Sequence, residues 1–317
     1  MNKITLISPY FGKEFSPFFS VLVDSMINNP NINFVIPTNL PYKENGDYSN
    51  ILFVRTDLHY LNDEIDSVLG YHARIDSPYK LVDFRPAYGT IFSKYIGNSD
   101  WWGYFDSDII FGNISEFLTD DLLDMFDRVF THGHLTLFRN NNTMNSLWNK
   151  NFNLPEVPSF KEVSTSKAIF AFDEWGWGKN KGRGISYALS NDKSIRQYDN
   201  NSWFADIIKD KFEFNTTSGE NIDYFRYNKG NLTGYANNTE IKYLYVHFQK
   251  RSMINRVSST ELPIYITPNI LDTKKNENQA ELKRWISYQK DRKIHQKIAN
   301  LNYWYLKRRL RFWHTEK

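Results

Sequence analysis

The sequence predicts an α/β fold built on a largely parallel, buried sheet, and three observations support this prediction. Strand-like apolar runs alternate with helical patterns through the first half of the chain, the runs are apolar on both faces, and 41% of the 317 residues are hydrophobic. Sheets that are covered by helices on both sides have this continuous apolar character. A chain of this length can form one large α/β domain with an appendage.

The predicted elements follow this alternation. Apolar runs predict strands over residues 3–8, 33–37, 51–55, 101–110 and 128–131, and helical patterns cover residues 18–28, 61–69, 79–95 and 115–126. Residues 140–234 are richer in Asn, Gly, Trp and Ser, which indicates loops and short helices. Strand patterns return over 240–248 and 262–267. We predict one domain over residues 1–270, with halves 1–135 and 136–270, and a helical extension over residues 271–317.

Composition limits the kinds of site that the chain can hold. It has no Cys, which excludes disulfides and thiolate metal sites. The net charge is +3, but residues 281–317 contain eleven Lys and Arg against three acidic residues, so the basic character lies in the tail. The N-terminus shows no signal-peptide pattern, and no stretch reaches the ~18 apolar residues of a membrane span. We therefore expect a cytoplasmic protein.

A pair of carboxylates follows the apolar segment that begins at residue 101. Asp106 and Asp108 are two positions apart at a predicted strand end, so their side chains are expected on the same side. Two carboxylates that converge there repel each other unless a hard divalent cation lies between them, and oxygen ligands suit Mg²⁺ or Mn²⁺. The alternative is a solvated turn. In parallel sheets ligands bind beyond the carboxyl ends of the strands, which makes residues 8–12 expected neighbours of this pair.

Six blocks of the sequence resemble bacterial glycosyltransferases of capsule and O-antigen gene clusters, which have the GT-A (Rossmann-like) nucleotide-sugar fold. The blocks are residues 8–12, 78–89, 102–113, 131–137, 172–175 and 246–250. The resemblance covers residues 1–255 and does not extend to the tail. It implies a mostly parallel mixed sheet, a nucleotide-binding half over residues 1–135 and an acceptor-side half over residues 136–270.

The resemblance also implies roles for single residues in this chain. Pro9, Tyr10 and Phe11 would line the nucleotide pocket. Lys80 would lie near the phosphates, and Asp83 would accept a hydrogen bond from the ribose or the base. Asp106 and Asp108 would bind the metal, His247 would be its third ligand, and Lys250 would contact the diphosphate. One departure follows the second strand, where similar proteins often have an Asp and this chain has Thr38 and Asn39.

Further acids and histidines are candidates for roles in such a site. An inverting transferase needs a carboxylate that takes the proton of the acceptor hydroxyl, and Asp173 or Glu174, next to Trp175 and Trp177, are our candidates for this base. The alternative is an exposed acidic loop. His132 and His134 are candidates for donor or acceptor contacts, with a purely structural role as the alternative.

The sequence as a whole therefore predicts a metal-dependent hexosyltransferase. It would move a sugar from a nucleotide diphosphate donor, UDP-hexose or UDP-galactofuranose, to a glycan or lipid-linked glycan that is a precursor of a bacterial surface polysaccharide. The basic, aromatic tail predicts peripheral contact with the anionic inner face of the cell membrane. A helix packed on the domain is the alternative there, and we expect no nucleic-acid partner. Two other classes stay open for the whole protein, a nucleotidyltransferase and a non-enzymatic carbohydrate- or nucleic-acid-binding protein.

Overall fold

A computed structural model of the protein describes residues 1–42, 48–257, 262–275, 282–287, 289–291 and 294. Twenty strands are present in these residues. In chain order they are β1 Ile4–Ile7, β2 Ile32–Thr38, β3 Ile51–Arg55, β4 Trp101–Phe105, β5 Ile109–Phe111, β6 Arg128–His132, β7 Leu135–Arg139, β8 Gly176–Gly178, β9 Gly182–Arg183, β10 Gln197–Tyr198, β11 Phe204–Asp206, β12 Phe214–Asn215, β13 Asn221–Ile222, β14 Tyr224–Asn228, β15 Asn231–Ala236, β16 Thr239–Lys242, β17 Tyr245–His247, β18 Ile254–Asn255, β19 Ile264–Thr267 and β20 Ile270–Asp272.

The helices are short apart from the first two. They are α1 Phe19–Ile27, α2 Leu58–Leu69, α3 Tyr88–Ile91, α4 Ser93–Ile96, α5 Ile114–Phe117, α6 Asp120–Met125, α7 Asn142–Asn145, α8 Phe160–Thr165 and α9 Ile185–Ser190, with 3-10 helices at Pro78–Ala87, Leu147–Asn149 and Asn201–Trp203. Within the described residues, no helix is long and apolar enough to span a membrane.

The central sheet has seven strands in the order β10-β6-β7-β4-β1-β2-β3. β3, β2, β1 and β4 are parallel neighbours, and β7 runs antiparallel to both β4 and β6. β4 is buried on both faces, because Trp101 and Phe105 pack into one core cluster and Trp102 and Tyr104 into another. The predicted α/β fold with a mostly parallel mixed sheet is confirmed.

Two predicted strands are each divided between two sheets. The segment 101–110 leaves the central sheet after Phe105, turns at Asp106–Asp108, and continues as β5 in a three-stranded sheet of order β11-β17-β5. The segment 240–248 is divided in the same way, into β16 and β17. A continuous apolar run predicts extended backbone but contains no signal for the sheet to which each half belongs. The carboxylate pair therefore lies at a corner where two sheets meet.

The helix predicted over residues 79–95 is a 3-10 segment followed by two short α-helices. Pro86 lies inside the 3-10 segment, and its ring and missing N–H are incompatible with a continuous α-helix. The single helix predicted over residues 115–126 is likewise divided into α5 and α6, since Leu118 has a non-helical backbone.

A six-stranded sheet of order β16-β15-β14-β19-β20-β18 covers part of the region that was predicted as loops. β14, β15 and β16 form consecutive hairpins whose two-residue turns, Lys229-Gly230 and Asn237-Asn238, have positive φ angles. Such turns are typical of tight hairpins and are the local signal that sequence inspection missed. The tail is described only in part: residues 282–287 and 289–291 are helical, Trp285 contacts Phe212, and the predicted extension beyond residue 294 lies outside the described residues.

Candidate functional site

The corner between the two sheets brings together the carboxylate pair and a histidine. β17 pairs antiparallel with β5 so that His247 lies opposite Ile109, next to Asp108. Nε2 of His247 is 3.6 Å from Oδ2 of Asp106 and 3.4 Å from Oδ1 of Asp108. One ligand atom from each of the three residues lies within 4.8 Å of the others. Two carboxylates and an imidazole at such spacing suit a divalent cation of the Mn²⁺ or Mg²⁺ type.

The other ring nitrogen of His247, Nδ1, is held by a residue that the sequence did not suggest. Asp206 ends β11, which pairs in parallel with β17, and its Oδ1 lies 2.7 Å from Nδ1 of His247. The side-chain amide of Gln249 donates to both oxygens of Asp206, at 2.9 Å each. Carboxylates commonly orient metal-bound histidines in this way, leaving the other ring nitrogen free to bind the ion. Asp206 is 41 residues from His247 in the chain, so no local pattern relates the two.

The electrostatics of the group show how strongly it attracts positive charge. Burial opposes a charged imidazole, but the hydrogen bonds and charges of Asp108 and Asp206 outweigh it and raise the pKa of His247 to about 10. Burial also opposes ionisation of Asp206, yet His247, His134 and Gln249 lower its pKa to about 2. The pKa of Asp108 is lowered despite its burial, by His247 and by the backbone of Lys250. Asp108 and Asp206 therefore carry more negative charge than the single imidazolium of His247 can balance, which favours a bound cation.

Lys250 contributes to the corner through both its backbone and its side chain. Gln249 and Lys250 have φ angles of 47° and 59°, a left-handed conformation that is unusual for residues with a side chain. This turn directs the backbone N–H of Lys250 at the Asp108 carboxylate. The ammonium group lies 3.9 Å from the centre of the ring of Tyr79, which also lines the cleft. Strained backbone of this kind costs roughly 1–3 kcal/mol per residue and is common at functional sites.

Arg85 connects the carboxylate pair to the second group of acids. Its guanidinium contacts Asp106 with one nitrogen, and with the other donates to Oδ2 of Asp173 at 2.8 Å and to the Gly133 carbonyl at 2.6 Å. Burial disfavours the guanidinium, but Asp106 and Asp173 more than compensate, and the pKa of Arg85 is above its ordinary value. Arg85 lies within the block 78–89, yet sequence reasoning did not select it, because its partners are distant in the chain.

The two candidate bases differ in their surroundings. Asp173 is only 2% exposed, and burial raises its pKa from 3.8 to about 7, against the opposing effect of Arg85. Glu174 is half-buried, and burial raises its pKa as well. Both line the cleft. Trp175 and Trp177, which follow in the chain, are large exposed aromatic residues, and the indole N–H of Trp177 donates to the Ile169 carbonyl at 2.7 Å.

The acids of both groups, with Arg85, His247 and Lys250, line one cleft of about 710 Å³, whereas Trp175 and Trp177 lie outside its lining. Pro9, Tyr10 and Phe11 form part of its wall, after the end of β1. The loop that they begin is held by Asn39, whose side-chain amide exchanges two hydrogen bonds with the Gly12 backbone, at 2.8 and 3.0 Å. The residue that replaces the expected Asp after the second strand thus has a structural role here.

The structure corrects the prediction for Lys80 and Asp83, which do not line the cleft. Lys80 is 2% exposed and Asp83 is fully buried, and they form an ion pair of 2.8 Å. The ammonium also donates to two backbone carbonyls, and the carboxylate accepts from the backbone N–H groups of Phe170 and Phe172. Every strong contact of this pair is internal, because the pair joins the 3-10 segment to the chain that leads to Asp173.

His132 and His134 both line the cleft, and their rings stack with centroids 5.1 Å apart. Nε2 of His132 lies near Asp199 and Asn201, at 3.2 and 3.1 Å. His134 is buried, with Nδ1 2.8 Å from the Tyr245 hydroxyl. Burial and the neighbouring His247 keep the pKa of His134 well below its ordinary range.

The chain belongs to a family of unknown function, DUF6625, whose profile matches residues 6–275. No curated protein sequence matches it. Among solved structures it is similar to a glycosyltransferase involved in glycosylation of the major capsid of PBCV-1 (9% identity, TM-score 0.38, covering 78% of this chain and 94% of that chain). It is also similar to mouse xyloside xylosyltransferase 1 (10% identity, TM-score 0.39, covering 64% of this chain and 87% of that chain). A third similar structure is the galactosyltransferase LgtC in complex with donor and acceptor sugar analogues (10% identity, TM-score 0.39, covering 78% of this chain and 88% of that chain).

Proposed function

We propose that the protein is a metal-dependent glycosyltransferase that moves a sugar from a nucleotide diphosphate to a hydroxyl group. The observation that carries this proposal is the group Asp106, Asp108 and His247 in one wall of a cleft that also contains Lys250 and Arg85. Acidic and imidazole ligands bind a divalent cation. The positively charged side chains of Lys250 and Arg85 offset the negative charge of a diphosphate. A nucleotide sugar needs both.

Each residue of the cleft has a proposed task in that reaction. Asp106, Asp108 and Nε2 of His247 would hold the ion, which supplies charge neutralisation for the departing nucleoside diphosphate. Lys250 reaches into the cleft from the same corner, so its ammonium can leave the Tyr79 ring for a phosphate oxygen. Tyr10 and Phe11 offer an aromatic wall for the nucleotide.

For the acceptor side, we propose Asp173 or Glu174 as the base of an inverting displacement. A pKa near 7 suits a carboxylate that takes a proton at neutral pH, and Asp173 has such a pKa. Arg85 fixes its orientation relative to Asp106. Trp175 and Trp177 are exposed beside these acids, where flat aromatic faces can stack on an acceptor sugar. If Asp173→Asn and Glu174→Gln both keep full turnover, the inverting mechanism with these bases is excluded.

The biological setting of the proposal rests on the sequence resemblance. We propose a UDP-hexose or UDP-galactofuranose donor and a glycan or lipid-linked glycan acceptor, a precursor of bacterial capsule or O-antigen. Peripheral contact of the basic tail with the inner membrane face belongs to the same proposal. The division into a domain over residues 1–270 and an extension over 271–317 is proposed from the pattern of predicted elements.

A metal-dependent hydrolysis screen tests the proposed function. The full chain is incubated with UDP- and GDP-sugars, with Mn²⁺ or with a chelator, and the released nucleotide is quantified. Release of UDP or GDP only with metal supports the transferase. Formation of pyrophosphate from UTP and a sugar 1-phosphate, with no release of UDP or GDP from the nucleotide sugars, would instead establish a nucleotidyltransferase. Thermal stabilisation by UDP and Mn²⁺ together supports the transferase as well, whereas stabilisation by an oligonucleotide alone would establish a binding protein.

A further inference from the structure

The cleft holds a second group of metal-ligating side chains beside the one described above. It consists of His134, Asp206 and His247, whose ligand atoms lie within 4.8 Å of one another. All three residues are buried, with exposed fractions between 7% and 9%. The rings of His134 and His247 are 4.7 Å apart, centre to centre. Two imidazoles and one carboxylate differ in chemistry from the carboxylate-rich group at Asp106 and Asp108.

His134 has one ring nitrogen that can face an ion. Its Nδ1 is already engaged with the hydroxyl of Tyr245, which can accept a hydrogen bond from it. With the proton on Nδ1, the lone pair of the neutral ring is on Nε2. Asp206 supplies a carboxylate whose Oδ1 is 2.7 Å from Nδ1 of His247, and Gln249 fixes its orientation. The three ligands are therefore held in place by hydrogen bonds before any ion arrives.

His247 belongs to both groups, but a neutral imidazole has only one lone pair. An ion at Asp106 and Asp108 needs the lone pair on Nε2, with the proton on Nδ1 facing Asp206. An ion between His134 and Asp206 needs the lone pair on Nδ1, with the proton on Nε2 facing Asp108. The ring is positioned for either arrangement, because a carboxylate lies near each nitrogen, at 2.7 Å and 3.4 Å. The two tautomers exclude each other.

We propose that His134, Asp206 and His247 form a second cation site, specific for ions that prefer imidazole, and that its occupation by Zn²⁺ weakens Mn²⁺ binding at Asp106, Asp108 and His247. Imidazole ligands suit Zn²⁺, whereas carboxylate ligands suit Mg²⁺ and Mn²⁺. The choice of ion thus selects the tautomer of His247. This inference rests on the metal centre of the proposed function but does not depend on sugar transfer.

Binding of Zn²⁺ alone and of Mn²⁺ alone to the metal-stripped full chain tests the proposal, by calorimetry with a competing chelator. Three variants are compared with the unmodified protein. His134→Gln removes a ligand of the second site only, Asp106→Asn with Asp108→Asn removes the first site only, and His132→Gln is the matched control, since its ring stacks on His134 but is outside both ligand groups. His134→Phe repeats the first test with a ring of similar shape, in case the Gln variant does not fold.

The proposal requires that Zn²⁺ binds the double variant, Asp106→Asn with Asp108→Asn, about as tightly as the unmodified protein. It also requires that both His134 variants lose more affinity for Zn²⁺ than the roughly 10–100-fold typical of losing an outer partner of a metal site. Mn²⁺ should bind the His134→Gln variant and not the double variant, and pre-bound Zn²⁺ should lower Mn²⁺ affinity. Zn²⁺ binding that persists in the His134 variants, or that disappears in the double variant, overturns the second site. Mn²⁺ binding that persists in the double variant contradicts the metal centre of the proposed function instead.

Discussion

Two clusters of charged side chains in this protein differ in whether their charges are balanced within the protein. In the first, Lys80 and Asp83 pair with each other, and their remaining donors and acceptors are taken by backbone groups. In the second, at the cleft, the acids Asp106, Asp108, Asp173, Glu174 and Asp206 are together with the cations Arg85, His247 and Lys250.

The difference separates a structural ion pair from a binding site. A buried charge is tolerated only when it is paired and hydrogen-bonded, and the Lys80–Asp83 pair meets this condition within the protein. The cleft meets it only in part, since His247 must hold an extra proton with a pKa of about 10 to balance its carboxylates. A bound cation would replace that proton. Anionic side chains that converge on the cleft without enough positive charge to balance them indicate a binding site. This is a stronger indication than charged residues in a sequence block that resembles a known family.

The largest expected effect of a single substitution is in the cluster at the cleft. Asp108→Ala removes a ligand carboxylate, and we expect metal-dependent release of UDP to fall about a thousandfold or more, since the ion supplies charge stabilisation worth several kcal/mol. The melting temperature should change little. The measurement is nucleotide release with Mn²⁺, with Asp192→Ala, a surface acid, as the control. Full activity in the Asp108 variant would contradict the metal assignment.

A substitution in the Lys80–Asp83 pair should affect the stability of the protein. Lys80→Ala leaves the Asp83 carboxylate buried without its partner, which typically costs 3–5 kcal/mol, about the range expected here for the free energy of unfolding. Lys94→Ala is the matched control, because its pair with Glu64 is exposed and should contribute less than about 1 kcal/mol. Urea denaturation measures both. A stable Lys80 variant with weakened nucleotide binding would instead restore the role that the resemblance implied for this lysine.

A smaller effect, on metal affinity, is expected from a substitution of Asp206, the hydrogen-bond partner of His247. Asp206→Asn removes the negative charge that orients Nδ1 of His247, and Mn²⁺ affinity should fall by roughly 10–100-fold. Calorimetric titration of Mn²⁺ measures the change. Asp199→Asn, which alters the acid next to His132 rather than His247, should leave Mn²⁺ affinity unchanged. Equal losses in both variants would mean that the effect is general to acids around the cleft.

The smallest effect concerns the pH dependence of stability. The pKa of Asp173 is about 7 in the folded protein and 3.8 ordinarily, so the folded state binds more protons than the unfolded state between these values. The contribution of Asp173 to stability is then fully present below pH 3.8 and is lost as pH rises through about 7. We expect the melting temperature of Asp173→Asn, relative to the unmodified protein, to rise over that interval.

Melting curves of the metal-free protein from pH 4 to pH 8 measure this difference. Asp192→Asn is the control with the opposite sign, because Lys150 and Ser194 lower the pKa of Asp192 to about 2. Its effect on melting should be constant above pH 5. A constant offset for Asp173→Asn as well would show that its carboxylate stays ionised throughout.

Much of the fold was predictable because it depends on local pattern. The first three strands of the central sheet were found within one residue, for example β1 at Ile4–Ile7, whose apolar run is buried throughout. The hairpin of β14 and β15 was missed, since β14 alternates between buried and half-buried residues and gave a weak apolar signal. Its turn, with Gly230 at positive φ, was the readable signal.

The candidate site was predictable only where its residues are neighbours in the chain. Asp106 and Asp108 form a local pattern, and the late histidine followed from the resemblance. Asp206 was missed because its relation to His247 exists only after β11 has paired with β17. Arg85 was missed because its partners Asp106 and Asp173 are 21 and 88 positions away in the chain. Lys80 and Asp83 were assigned to the donor because a sequence block does not show which of its side chains face the cleft.

The sequence by itself determined the α/β class, the first three strands of the central sheet and the pair of aspartates at a strand end, because periodicity and local spacing are properties of neighbouring residues. Only the tertiary structure decided that the strand ends at Phe105 and that the two aspartates meet His247 at the corner of two sheets. It also decided that Arg85 faces the cleft while Lys80 does not. These outcomes depend on contacts between residues 21 to 142 positions apart in the chain, where charge and burial are set by packing and not by sequence distance.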